Sequence, residues 1–168
     1  MTDRRSSASR WLAYTAAFFV VYFFSAGVFS RFPLNGTVPT MIPVVIAFVA
    51  VREGSVPGAA FGMCLGVFGF FAEGGIGGGM VLVGAVIGML CGLVKERRPS
   101  HPLLVSLLCA LGALALTEGL RILWIRLFGS ADLDTLLHLA GYETLYSMIL
   151  ALPAYPIFRF TWWKFSGS

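Results

Sequence analysis

The sequence predicts an all-α integral membrane protein, a bundle of six membrane-crossing helices, and three observations lead there. Of the 168 residues, 58% are apolar and only 12% are charged, whereas a soluble domain carries about 25% charged residues. The polar residues are confined to short runs between apolar segments. Finally, 13 of the 20 glycines lie between Gly54 and Gly92. Within that stretch Gly58, Gly62 and Gly66 recur four residues apart in one apolar segment, and Gly84, Gly88 and Gly92 do so in the next. Each segment thus presents a helix face without side chains. In lipid, where exclusion from water cannot drive helix pairing, such a face lets two backbones approach and gain dispersion contacts. These six glycines are the expected helix-packing residues and their two segments the expected packed centre; a backbone-lined ligand site is the other reading of the same face.

The formal charge of +4 does not point to nucleic acid, because the basic residues gather at the ends of apolar segments rather than along a stripe. The topology rule for membrane proteins accounts for them. The expected partner is the lipid bilayer. Cys64, Cys91 and Cys109 all lie in apolar segments without the paired spacing of a zinc or redox site, and read as small buried hydrophobes.

The first span covers residues 11–29, after a basic cytoplasmic N-terminus of residues 1–10 containing Arg4, Arg5 and Arg10. Its length suffices to cross, and no small-residue cleavage pattern follows it, so it reads as a retained span rather than a signal peptide. The second apolar piece, residues 38–51, has 14 residues, about 21 Å of helix against a hydrocarbon core of about 30 Å. Pro39 and Pro43 fall in its first turns, where a missing amide donor costs least. Arg52, Glu53, Gly54 and Pro57 make a turn into span three, 58–72. A glycine-rich connection carrying Glu73 leads to span four, 76–94, which closes in the polar run Lys95, Glu96, Arg97, Arg98, Pro99 and Ser100.

Span five starts at Pro102 and stays apolar to Thr117, with its helix continuing through Glu118, Arg121 and Arg126 to Phe128. Leu133, Leu136, Leu137 and Ala140 then follow helical offsets after Asp132, a candidate N-cap. They predict a short amphipathic extracytoplasmic helix near 132–140, broken by Gly141. Span six, 142–158, carries Pro153 and Pro156, expected to kink or fray it. The cytoplasmic tail, 159–168, combines Arg159, Trp162, Trp163 and Lys164, which with Trp11 form the expected membrane-interface anchor. A single membrane domain therefore covers 11–158. With both termini inside, nine basic residues lie on the cytoplasmic side and three outside, the bias the topology rule requires.

Glu73, Glu118, Asp132 and Glu143 then lie at the outer ends of spans, where acids near hydrocarbon must be hydrated or paired. Arg121 follows Glu118 by one helical turn and can pair with it. Glu73, Glu118, Arg121 and Glu143 form the candidate outer pocket or partner contact. His101 and His138 fall on opposite sides of this topology, so no metal site is expected. No nucleophile has an accompanying base, and no glycine loop ends in Lys followed by Ser or Thr. No enzymatic activity and no cofactor are expected.

Four segments carry a family resemblance: the proline-led Val38-Pro39-Thr40-Met41-Ile42-Pro43-Val44-Val45; the turn Arg52-Glu53-Gly54; the glycine-spaced span from Gly58 to Glu73-Gly74 and Gly77; and the closing Leu145-Tyr146-Ser147 through Pro153-Ala154-Tyr155-Pro156 to Arg159. In this order they resemble the rod shape-determining protein MreD family, which more often has Asp at the position of Glu73. The resemblance implies a non-catalytic inner-membrane subunit of the cell-elongation machinery, a scaffold that binds MreC and works beside MreB, RodA and its partner transpeptidase in lateral peptidoglycan synthesis. It also implies a fold similar to the substrate-binding subunits of energy-coupling-factor vitamin transporters. The alternative function is accordingly solute capture, with Glu73, Glu118 and Glu143 lining an outward pocket.

Overall fold

The computed structural model describes residues 2–28, 40–72, 79–96, 102–128 and 133–166. Six helices account for nearly all of them: α1 Thr2–Val28, α2 Ile42–Glu53, α3 Ser55–Ala72, α4 Met80–Glu96, α5 Pro102–Phe128 and α6 Leu133–Ser166. Among the described residues there is no strand, as the all-α reading expects.

The bundle is built around α2. From Ile42 to Val51 it carries no polar side chain, and every one of those residues is buried. A helix that is apolar all round has no face to give to water and needs neighbours on every side. The other five supply them. α3, α4 and α5 lie closest along α2, α6 and α1 touch it more sparingly, and the outer helices follow one another in the order α3, α4, α5, α6, α1. The glycine-bearing pair is therefore one flank of the bundle and not its centre. Its outer face leaves Val67, Phe71, Leu82 and Leu90 exposed.

The reason the pair is so close is visible atom by atom. A methyl group on Gly58, Gly62, Gly66, Gly84, Gly88 or Gly92 would fall within 3.0 Å of backbone on the facing segment. Gly58 opposes Gly88, Gly62 opposes Gly84, Gly66 opposes Met80 and Val81, and Gly92 opposes Gly54 and Ser55. Gly58 also abuts Ala50 of α2, so one glycine serves two interfaces. At the start of α3, Gly54 has φ +107°, a region that favours glycine, and its amide donates to the Ala50 carbonyl to close α2.

Two expectations about helix limits need correction. The short helix near 132–140 is not separate, because α6 continues through Gly141 to Ser166. A glycine inside a helix costs only about 1 kcal/mol relative to alanine. Against that stands one unbroken buried stripe, Ala140, Glu143, Ser147, Ala151, Ala154 and Phe158, at spacings of three and four. Pro153 and Pro156 also lie within α6, both on its exposed side. At the other end, α1 begins at Thr2 instead of near Trp11, so the basic N-terminus is helical.

Among the described residues two helices, α3 and α5, are long and apolar enough to cross a membrane by length and composition, and the apolar part of α4 is shorter. The 12 residues of α2 span about 18 Å. Side-chain pairings fix the directions. Arg10 and Tyr14 of α1, Glu53 ending α2, Lys95 ending α4 and Tyr155 of α6 meet at one end. Thr40 before α2, Glu118 and Arg121 of α5 and Glu143 of α6 meet at the other. Successive helices thus run in alternating directions, and the start of α1 and the end of α6 lie at the Arg10 end.

Candidate functional site

The candidate sites are the two polar clusters that close the bundle. At one end Arg121 joins two helices. Its Nη1 donates to Glu143 Oε2 at 3.0 Å and to Glu118 Oε1 at 3.4 Å. The two glutamates are on α5 and α6, and both side chains are only 6% exposed. One turn of helix places Arg121 over Glu118, and the stripe of α6 turns Glu143 inward to meet it. Glu143 Oε1 accepts from the Thr40 hydroxyl. The Thr40 amide in turn donates to Ser147 Oγ at 3.0 Å. Since Thr40 and Met41 lead into α2, α6 holds the entry of the central helix through two side chains.

Three of the four residues expected in an outer pocket or partner contact are therefore together, and they are joined to one another. Glu73 lies outside the described residues. Both carboxylates engage the Arg121 guanidinium here. What sequence reasoning missed were Thr40 and Ser147, hydroxyl residues in two segments that the family resemblance had marked for other reasons. The signal that could have found them was Ser147's place one turn after Glu143 on the same stripe.

At the opposite end the focus is Glu53. Its carboxylate accepts from the Tyr14 hydroxyl at 2.8 Å and pairs with Arg10 at 3.4 Å, and its backbone carbonyl accepts from Lys95 Nζ at 3.0 Å. The adjacent Arg52 lies over the Tyr155 ring, 5.0 Å from its centre, a cation–π geometry. The turn Arg52-Glu53-Gly54 thus joins α1, α2, α4 and α6. Sequence reading placed Arg52 and Glu53 only in a turn, because their partners lie 39 or more residues away or come from other spans.

Of the expected interface anchors, Trp163 and Arg159 are exposed, and Trp11 is partly buried against Tyr14 and Phe61. The side chains of Trp162 and Lys164 lie outside the description. Cys91 is buried and donates to the Cys109 carbonyl at 3.8 Å, while Cys64, expected to be buried, is exposed. His138 is exposed, and no group of His, Cys, Asp and Glu among the described residues could hold a metal ion.

No protein family, curated protein or solved structure matches the chain.

Proposed function

We propose that the chain is a non-catalytic scaffold subunit of the bacterial cell-elongation machinery, similar to MreD, which crosses the cytoplasmic membrane six times and binds MreC. Both termini are cytoplasmic on this reading, the Arg10 end is the inner end, and the cluster around Arg121 is the outer one. The membrane part rests on the outward-facing side chains. Phe23 and Phe24 of α1, Phe71 of α3, Leu82 of α4, Leu108 and Leu123 of α5 and Leu152 of α6 are all exposed. Apolar surface this extensive marks contact with lipid or protein.

The observation that carries the family reading is how the resembling segments meet. Thr40 of the proline-led segment is held by Ser147 of the closing segment, and Arg52 of the turn lies over Tyr155 of that same segment. The glycine-spaced segment seats α3 on α4 and on Ala50 of α2. Residues that carry the resemblance thus fasten the central helix at both ends and along one side. Their work is to hold a shape, which suits a scaffold. Glu118 and Glu143 are engaged with Arg121 and Thr40, which suits a brace better than a solute pocket.

Affinity purification of the tagged chain from its own membranes in mild detergent, with mass spectrometry of retained proteins and small molecules, tests this. Recovery of MreC, with RodA, its partner transpeptidase and MreB in lower yield, is the expected result. Recovery of paired ATPases, their membrane coupling subunit and a stoichiometric vitamin would replace the scaffold by solute capture.

A further inference from the structure

α1 and α3 run in the same direction without close backbone approach. Aromatic rings span the distance instead: Trp11 to Phe61 at 5.8 Å and Phe18 to Phe68 at 5.4 Å between centres. Among these rings lies an open groove of about 440 Å³, lined also by Thr15, Phe19, Ala60, Cys64 and Leu65. Water would find few partners in it, since the Thr15 hydroxyl already donates to the Trp11 carbonyl at 2.9 Å. The lining runs over eight helical steps on each side, from Trp11 to Phe19 and from Ala60 to Phe68, about 12 Å. A helix with its side chains is about 10–12 Å wide, whereas the rings facing each other across the groove lie only 5.8 and 5.4 Å apart between centres. A single hydrocarbon chain is far thinner and chemically matched to the walls.

The inner end of the groove is positively charged. Arg10 precedes Trp11 on α1, and its side chain is 29% exposed. Arg10 pairs with the Glu53 carboxylate and Lys95 donates to the Glu53 backbone carbonyl, the adjacent Arg52 lies over the Tyr155 ring, and Arg159 adds its charge near Arg52. A hydrocarbon slot ending at an excess of positive charge complements an amphiphile with an anionic head. We propose that the α1/α3 groove holds one acyl chain of an anionic phospholipid of the inner leaflet, with the headgroup phosphate at Arg10. This rests on the membrane reading above, independently of MreC.

The test is native mass spectrometry of the full chain, purified in mild detergent and titrated with phosphatidylglycerol or with phosphatidylcholine of the same acyl chains. One phosphatidylglycerol is expected to be retained in preference. Filling the groove by Cys64→Phe or Ala60→Phe should weaken that retention about tenfold, because losing the burial of as few as two methylenes costs that much. Arg10→Gln should cut the preference for phosphatidylglycerol about fivefold, the worth of one basic residue near an anionic surface, and Arg10→Lys should restore it. The two filling variants lie on one wall at different depths, and each is read only against its own melting temperature without lipid, matched to the parent. Equal retention of both lipids by the parent, undiminished phosphatidylglycerol binding by a folded filled variant, or a protein segment cross-linked into the groove would overturn the proposal. Failure of the membrane reading would show separately, as recovery of the chain in the soluble fraction without detergent.

Discussion

Adding one methyl group at Gly62 probes the closest approach in the bundle. The new Cβ would lie 2.7 Å from the Gly84 carbonyl carbon, nearer still to its oxygen, and 3.3 Å from the Ala85 nitrogen. Ordinary contact begins at 3.4 Å, and the opposing atoms are backbone, with no rotamer to yield. α3 and α4 must therefore part, losing the close packing that holds helices together in lipid. Overpacking of this kind costs about 1–3 kcal/mol. Replacing a helical glycine by alanine returns about 1 kcal/mol through propensity, so Gly62→Ala should lose a net of up to about 2 kcal/mol. Gly112 and Gly119 are internal controls, since a Cβ at either meets nothing within 4 Å. There only the propensity gain of up to about 1 kcal/mol remains. Melting in mild detergent, followed by helical circular dichroism, should separate Gly62→Ala from Gly112→Ala by about 2–12 °C, at roughly 2–4 °C per kcal/mol for a chain of this size. A Gly62→Ala variant melting above the parent, or together with Gly112→Ala, would refute the close-approach account.

Other expectations concern the clusters and the core. Arg121→Gln leaves Glu118 and Glu143 without their shared cation and should cost about 1–3 kcal/mol; combining it with Glu143→Gln should recover part of the loss in the same melting assay. Tyr14→Phe removes the hydroxyl bond to the Glu53 carboxylate from a fully buried ring, a loss of about 1.5–3 kcal/mol for a bond to a charged group. Phe48 is fully buried at the middle of α2, and Phe48→Ala should cost about 3–5 kcal/mol, lowering the yield of monodisperse protein on size exclusion.

How much of this was legible in the sequence depends on the range of the interaction. The glycine repeat displays its purpose locally, because spacing by four fixes a face whatever lies opposite. The Glu118–Arg121 pair is legible for the same reason. Helix α2 was legible as a short apolar element, but its central position follows from the five helices around it. Gly141 misled because its cost is local and small, whereas the stripe from Ala140 to Phe158 that overrides it is long. Glu53 and Thr40 were opaque: their partners, Tyr14, Arg10 and Lys95 for the first and Glu143 and Ser147 for the second, are joined to them only by tertiary structure.

The claim that the bundle crosses the membrane with its Arg10 end inside and its Arg121 end outside is tested most directly by cysteine labelling. In a background with Cys64, Cys91 and Cys109 replaced by serine, single variants Ser9→Cys, Asp134→Cys and Thr161→Cys would be treated with a membrane-impermeant maleimide in spheroplasts and in inverted vesicles. Labelling of position 134 in spheroplasts, and of positions 9 and 161 only in inverted vesicles, is the predicted result. Labelling of positions 9 and 134 from the same side would contradict it.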